Sequence, residues 1–97
     1  MRIALACVAV LAAAPLAALA DEAGSALAAT CAMCHGTTGH SVGGNVPLAG
    51  MPKDEMVSKF KAFRSGAMPA TVMHQIAKGY TDSQLDQLAA FFAAQKK

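Results

Sequence analysis

Cys31-Ala32-Met33-Cys34-His35 is the stretch on which the reading of this chain turns. Two cysteines stand three positions apart, with a histidine directly after the second. On a helix, residues i and i+3 share a face about 5–6 Å apart, so both thiols can reach the two vinyl groups along one edge of a porphyrin. The adjacent imidazole of His35 then falls under the ring, where it can act as proximal ligand to iron. On this ground C-x-x-C-H is the attachment signature of c-type haem.

Three other readings of the same residues are weaker. A thioredoxin-like dithiol sits at a strand-to-helix junction of a βαβ unit, and no such pattern surrounds Cys31 and Cys34. A zinc site could draw on Cys31, Cys34, His35, His40 or His74, but a second ligand pair at finger spacing is missing. A structural disulfide between Cys31 and Cys34 would close a very small loop and stabilise little.

Upstream of the motif, positions 1–20 are apolar throughout except at Arg2 and Pro15. Met1-Arg2 supplies a positive n-region, Ile3 to Ala14 an apolar h-region, and Ala18-Leu19-Ala20 a small-x-small cleavage site before Asp21-Glu22. This is the pattern of a secretory signal peptide, cleaved after Ala20, and it predicts a periplasmic protein. As a membrane anchor the run would barely span a bilayer and is mostly Ala rather than Leu. A lipoprotein reading at Cys7 fails because too little chain precedes it for n- and h-regions.

The chain is 55% hydrophobic, but the excess sits in that leader, and positions 21–97 have an ordinary globular share. Of its 8 basic side chains Arg2 belongs to the leader, so the rest nearly balance the 6 acidic ones. That leaves no electrostatic footprint for nucleic acid. At most one domain fits. Alanine is frequent beyond the leader and large apolar side chains are few, so the core is small and a domain of this size needs a staple. A covalent haem would be that staple.

The periodicity predicts an all-α chain. A first helix is expected from about Asp21 to Cys34, with Leu27, Cys31 and Cys34 on one face. Gly36 to Met51 then carries glycines at positions 36, 39, 43, 44 and 50 and no period, a loop too long for so small a domain unless it wraps something. Pro52 reads as the first position of a second helix whose stripe is Met56, Phe60 and Phe63, with a Glu55–Lys59 pair and Gly66 as its cap. A short apolar-polar segment runs from Pro69 to Gly79. Thr81-Asp82-Ser83-Gln84 is a capping box opening a last helix that buries Leu85, Leu88, Ala89 and Phe92.

Over nearly the whole of positions 21–97 the chain resembles a class I c-type cytochrome, with the haem motif near the mature N-terminus. Class II four-helix cytochromes carry it near the C-terminus. The resemblance implies helices wrapped around one haem c, and a crossing of first and last helices through Ala23, Gly24 and Leu27 against Leu88 and Phe91. It also implies that Pro47, in Val46-Pro47-Leu48-Ala49-Gly50, offers its carbonyl to His35, which would fix the imidazole tautomer and raise its basicity.

The same family takes its sixth ligand from the region between the middle and last helices, where Met68 and Met73 both stand. Met33 lies inside the motif, Met51 closes the loop too early, and Met56 belongs to the helix stripe. Positions 71–82 resemble the ligand loop of the short cytochromes of flavocytochrome c sulfide dehydrogenase, whose methionine stands eight positions before the Ser/Thr cap. Met73 has that spacing to Thr81 and Met68 does not. His74 is a rival whose bis-histidine ligation would lower the potential, but its place beside Met73 on a helix points it away. His40 is expected in solvent.

With both axial positions filled by protein, the resemblance implies a one-electron carrier rather than an enzyme. The Phe60–Gly66 and Ile76–Asp82 runs imply an FAD-containing sulfide dehydrogenase subunit as partner. A free-standing cytochrome serving a terminal oxidase or another dehydrogenase is the alternative, and a dithiol redox protein or haem sensor a more distant one. Lys53, Lys59, Lys61, Arg64 and Lys78 are either a docking rim or the solvated faces of helices.

Overall fold

The computed structural model describes residues 16–97. Most of the proposed leader, with Arg2, Cys7 and Pro15, lies outside the described residues. α1 (Leu16–Ala28) tightens into a 3-10 turn over Ala29–Cys31 and ends in one further turn, α2 (Ala32–His35). α3 (Lys53–Ser65), α4 (Met73–Lys78) and α5 (Asp82–Ala93) follow. There is no strand among the described residues, and the fold is all-α as the periodicity predicts.

The helix ends follow from their local chemistry. Pro52 is the residue before α3 rather than its first: its ψ of 138° is extended, and its carbonyl accepts the Met56 N–H at 3.1 Å. Asp54 and Glu55 occupy the first turn, where the helix dipole favours negative charge. Glu55 pairs with Lys59 at 3.2 Å. Gly66 closes the helix in a left-handed conformation. At α5 both bonds of the capping box form, Gln84 N–H to Thr81 Oγ1 at 3.1 Å and Thr81 N–H to Gln84 Oε1 at 3.0 Å. The first helix begins at Leu16, earlier than the sequence suggests, and is broken by its 3-10 turn.

α1 packs across α5, and α3 packs on both α4 and α5. The crossing of first and last helices runs through Gly24, where a Cβ would lie 2.9 Å from both the Gln87 carbonyl oxygen and Phe91 Cβ. Only a residue without a side chain allows that approach. Phe92, Met56, Leu85 and Leu88 are the largest fully buried side chains, and Phe60, Ala28, Ala77 and Ala89 complete the cluster. Four large side chains are little for a domain of this size.

The glycine-rich loop is tied down by its backbone. The Gly39 carbonyl accepts from Leu48 N–H at 2.9 Å and Ala49 N–H at 3.2 Å, and Gly50 N–H donates to the Phe92 carbonyl at 2.9 Å. Gly39 has φ +86°, and a Cβ there would lie 2.6 Å from Ala49 N and 2.9 Å from Phe92 Cδ1. His40 is exposed, as expected, but its ring is not idle. Nε2–H donates to the Lys96 carbonyl at 2.6 Å while Nδ1 meets Thr38 Oγ1 at 2.8 Å, fastening the loop to the C-terminus.

Candidate haem-binding site

The 3-10 turn and α2 carry the motif. Cys31 is half-buried, Cys34 is exposed, and Met33 between them is 95% exposed and turned to solvent. Asn45 Nδ2–H donates to the Cys34 carbonyl at 2.8 Å, so the loop clasps the end of the motif. His35 Nδ1 lies 2.8 Å from the Val46 carbonyl oxygen. A carbonyl can only accept, so Nδ1 carries the proton and Nε2 keeps its lone pair free for a metal.

That carbonyl corrects the expectation placed on Pro47. The acceptor is Val46, one residue earlier. Its oxygen belongs to the Val46–Pro47 peptide unit, and a proline biases the residue before it toward extended backbone.

Beside the motif lies a cavity of about 490 Å³, within the usual range for cofactor sites. Cys31, Cys34 and His35 line it together with Asn45, Val46 and Leu48 of the loop. A further wall comes from Met68 to Met73 and Ile76, and the buried Met56, Phe60, Leu88 and Phe92 form its base. The long loop thus lines one side of this cavity. Both thiols, a histidine with an available Nε2 and mainly apolar walls fit a haem attached through Cys31 and Cys34. When bound, haem supplies reversible one-electron exchange between ferric and ferrous iron. The chain's own part would be to hold it, orient His35 and keep water from it.

Met68 and Met73 both line the cavity, and so do Met51 and Met56. Met56 is 1% exposed, core as its helix position predicts. Met68 N–H donates to the Ala62 carbonyl at 3.2 Å, in the turn that closes α3. Met73 opens α4 and packs partly buried on the core. His74 is not among the lining residues, and its Nδ1 is buried with no hydrogen-bond partner among the described residues.

Sequence reasoning missed the polar contacts that hold this site. Tyr80 Oη and Thr30 Oγ1 share a hydrogen bond at 2.5 Å, and Thr30 Oγ1 also lies 3.1 Å from the Leu27 carbonyl, binding the approach to α5 to the residue before Cys31. Tyr80 also meets Phe60 edge to face, with ring centroids 5.9 Å apart. Burial pushes the Cys31 thiol up, against weaker lowering by Thr30 and Tyr80. That is opposite to the electropositive setting that activates redox thiols. No three of His, Cys, Asp and Glu converge as a metal cluster among the described residues. Of the candidate docking cations, Lys53 pairs with Asp86 at 2.8 Å, Lys59 with Glu55 at 3.2 Å and Arg64 with Asp82 at 2.7 Å.

Fold and site together define a small helical protein whose cavity is suited to a covalently attached haem. The family model for cytochrome c matches residues 22–96. The chain is 32% identical to the cytochrome subunit of sulfide dehydrogenase of Chlorobaculum tepidum, over 74% of this chain and 66% of that protein. It is 35% identical to cytochrome c4 of Pseudomonas aeruginosa, over 76% of this chain and 37% of that one. It is 32% identical to cytochrome c-554(548) of Halomonas halodenitrificans, over 69% and 86%. The chain thus spans less than two thirds of the length of the first two. It belongs to the cytochrome c family, whose members carry electrons and bind haem c covalently. No helix of the described residues is long and apolar enough to cross a membrane.

Proposed function

We propose that the chain is an exported one-electron carrier with a single haem c, bonded through Cys31 and Cys34 and ligated by His35 Nε2 and Met73. The observation that carries this reading is the hydrogen bond from His35 Nδ1 to the Val46 carbonyl, at the edge of a cavity that both thiols line. It leaves the correct nitrogen of the correct histidine for iron. Met73 is supported by its place at the start of α4 and by its spacing to the Thr81 cap. Positions 1–20 are the signal peptide and 21–97 the mature domain in the periplasm. Cleavage after Ala20 would leave α1 opening on Asp21 and Glu22, where negative charge suits the helix dipole.

Met73→Ala and Met68→Ala test the ligand assignment. The first is expected to keep covalent haem but lose the methionine–iron charge-transfer band and lower the reduction potential. The second is expected to keep both. The reverse pattern would transfer the role to Met68.

For the partner, the likeness to a sulfide dehydrogenase subunit supports electron delivery from an FAD-containing sulfide-oxidising subunit. A free-standing carrier is the second reading, favoured by comparable likeness to cytochromes c4 and c-554(548). Co-purification from the native cell with a flavin-containing chain distinguishes them: a stable complex supports the first, a monomer reduced by unrelated donors the second.

A further inference from the structure

We propose that Arg64 is a positioning residue for the distal ligand, fixing from α3 the short helix that begins with Met73; this rests on the reading of Met73 given above. α4 has six residues. A helix so short does not hold itself in water, and the carbonyls of its last turn lack intrahelical partners. Arg64, in the last turn of α3, supplies what is missing. Its Nη2–H donates to the Tyr80 carbonyl at 3.0 Å and its Nε–H makes a longer 3.4 Å contact to the Ala77 carbonyl. Nη1–H donates to Asp82 Oδ1 at 2.7 Å.

These three acceptors all belong to the junction of α4 and α5. The Asp82 side chain is 77% exposed, so that ion pair faces water and contributes little. The two carbonyl contacts are partly buried and charge-assisted. A planar guanidinium can span both, whereas a lysine ammonium cannot. Ala77 beside them is fully buried, and α3 is anchored by Met56 and Phe60, so the clamp joins α4 to the rigid part of the fold. So short a helix moves as a unit, and holding the Ala77 carbonyl near its end together with the Tyr80 carbonyl just beyond it sets where its first residue sits. Arg64 thereby holds Met73 without touching it.

Imidazole added to the ferric holoprotein competes with the methionine for iron and reads how firmly that ligand is held. Arg64→Met is expected to tighten imidazole binding about tenfold, the loss of roughly one charge-assisted hydrogen bond. Arg64→Lys is expected to lie nearer to Arg64→Met than to wild type. Asp82→Asn, which leaves both carbonyl contacts, is expected to stay within about twofold of wild type. Unchanged imidazole affinity in Arg64→Met with a lowered unfolding midpoint would show a merely structural role and overturn the proposal. So would an Asp82→Asn variant with the full effect. Should Arg64→Met fail to mature, Arg64→Lys decides: wild-type affinity overturns the proposal and a severalfold gain supports it. Met73→Ala is measured alongside. If it keeps the charge-transfer band, the ligand reading itself is wrong and the clamp falls with it; if it loses the band, the Arg64 variants judge the clamp alone.

Discussion

Replacing Gly24 by alanine sets two effects of opposite sign against each other. In a helix interior the change gains about 0.5–1 kcal/mol from lost backbone freedom in the unfolded chain. At this position the new Cβ would sit 2.9 Å from the Gln87 carbonyl oxygen and 2.9 Å from Phe91 Cβ. Neither atom is the far end of a flexible side chain, so α5 itself must shift. Overpacking of that kind costs about 1–3 kcal/mol. The steric loss exceeds the conformational gain by about 1 kcal/mol, which in a domain of this size lowers the midpoint by about 4–8 °C. Thermal unfolding of the holoprotein followed by far-ultraviolet circular dichroism measures it, with the haem spectrum confirming that attachment is intact. A Gly24→Ala protein that unfolds at or above the wild-type temperature would refute the close crossing of α1 and α5.

Thr81→Ala removes the acceptor for the Gln84 N–H and is expected to destabilise by about 1 kcal/mol, read as a lower urea midpoint, while Thr81→Ser keeps most of the stability. Burial raises the Tyr80 phenol above its usual range, outweighing the opposing bond from Thr30. Its folded value exceeds its unfolded one, so its contribution is present below the ordinary phenol range and lost as pH rises through the folded value. Tyr80→Phe is expected to flatten that alkaline limb of the stability profile, and an unchanged limb would point to another group. The hydrogen bond and charge of Arg64 lower the Asp82 carboxyl, so its contribution is complete above the ordinary carboxylate range and fades only in acid. Because the pair is exposed that contribution is small, so Asp82→Asn is expected to lower the neutral-pH midpoint only slightly and to flatten the acid limb of the stability profile.

What the sequence disclosed was local. The capping box at Thr81 and the buried stripe of α5 are set by neighbours within four residues, and each formed as its spacing predicts, whereas the expected single helix into Cys34 is interrupted by the 3-10 turn at Ala29–Cys31. α4 escaped because six residues hold too few turns to show a period. The boundary at Pro52 moved by one residue because proline serves equally before the first turn and within it. The acceptor for His35 differed by one residue for a related reason: a proline's influence is felt in the peptide unit on its N-terminal side. Arg64 to Tyr80, Tyr80 to Thr30 and His40 to Lys96 join positions far apart in the chain, and no periodicity records such pairs. The five candidate docking cations looked alike in sequence; in the folded chain Lys53, Lys59 and Arg64 have acidic partners, while Lys61 and Lys78 form no ion pair among the described residues.

The mass of the secreted protein, made in a host able to mature c-type cytochromes, tests the central claim most directly. Positions 21–97 carrying one haem through two thioether bonds is the expected species, red in solution and resistant to acid–acetone extraction of its pigment. A colourless polypeptide with free thiols at Cys31 and Cys34 would contradict it.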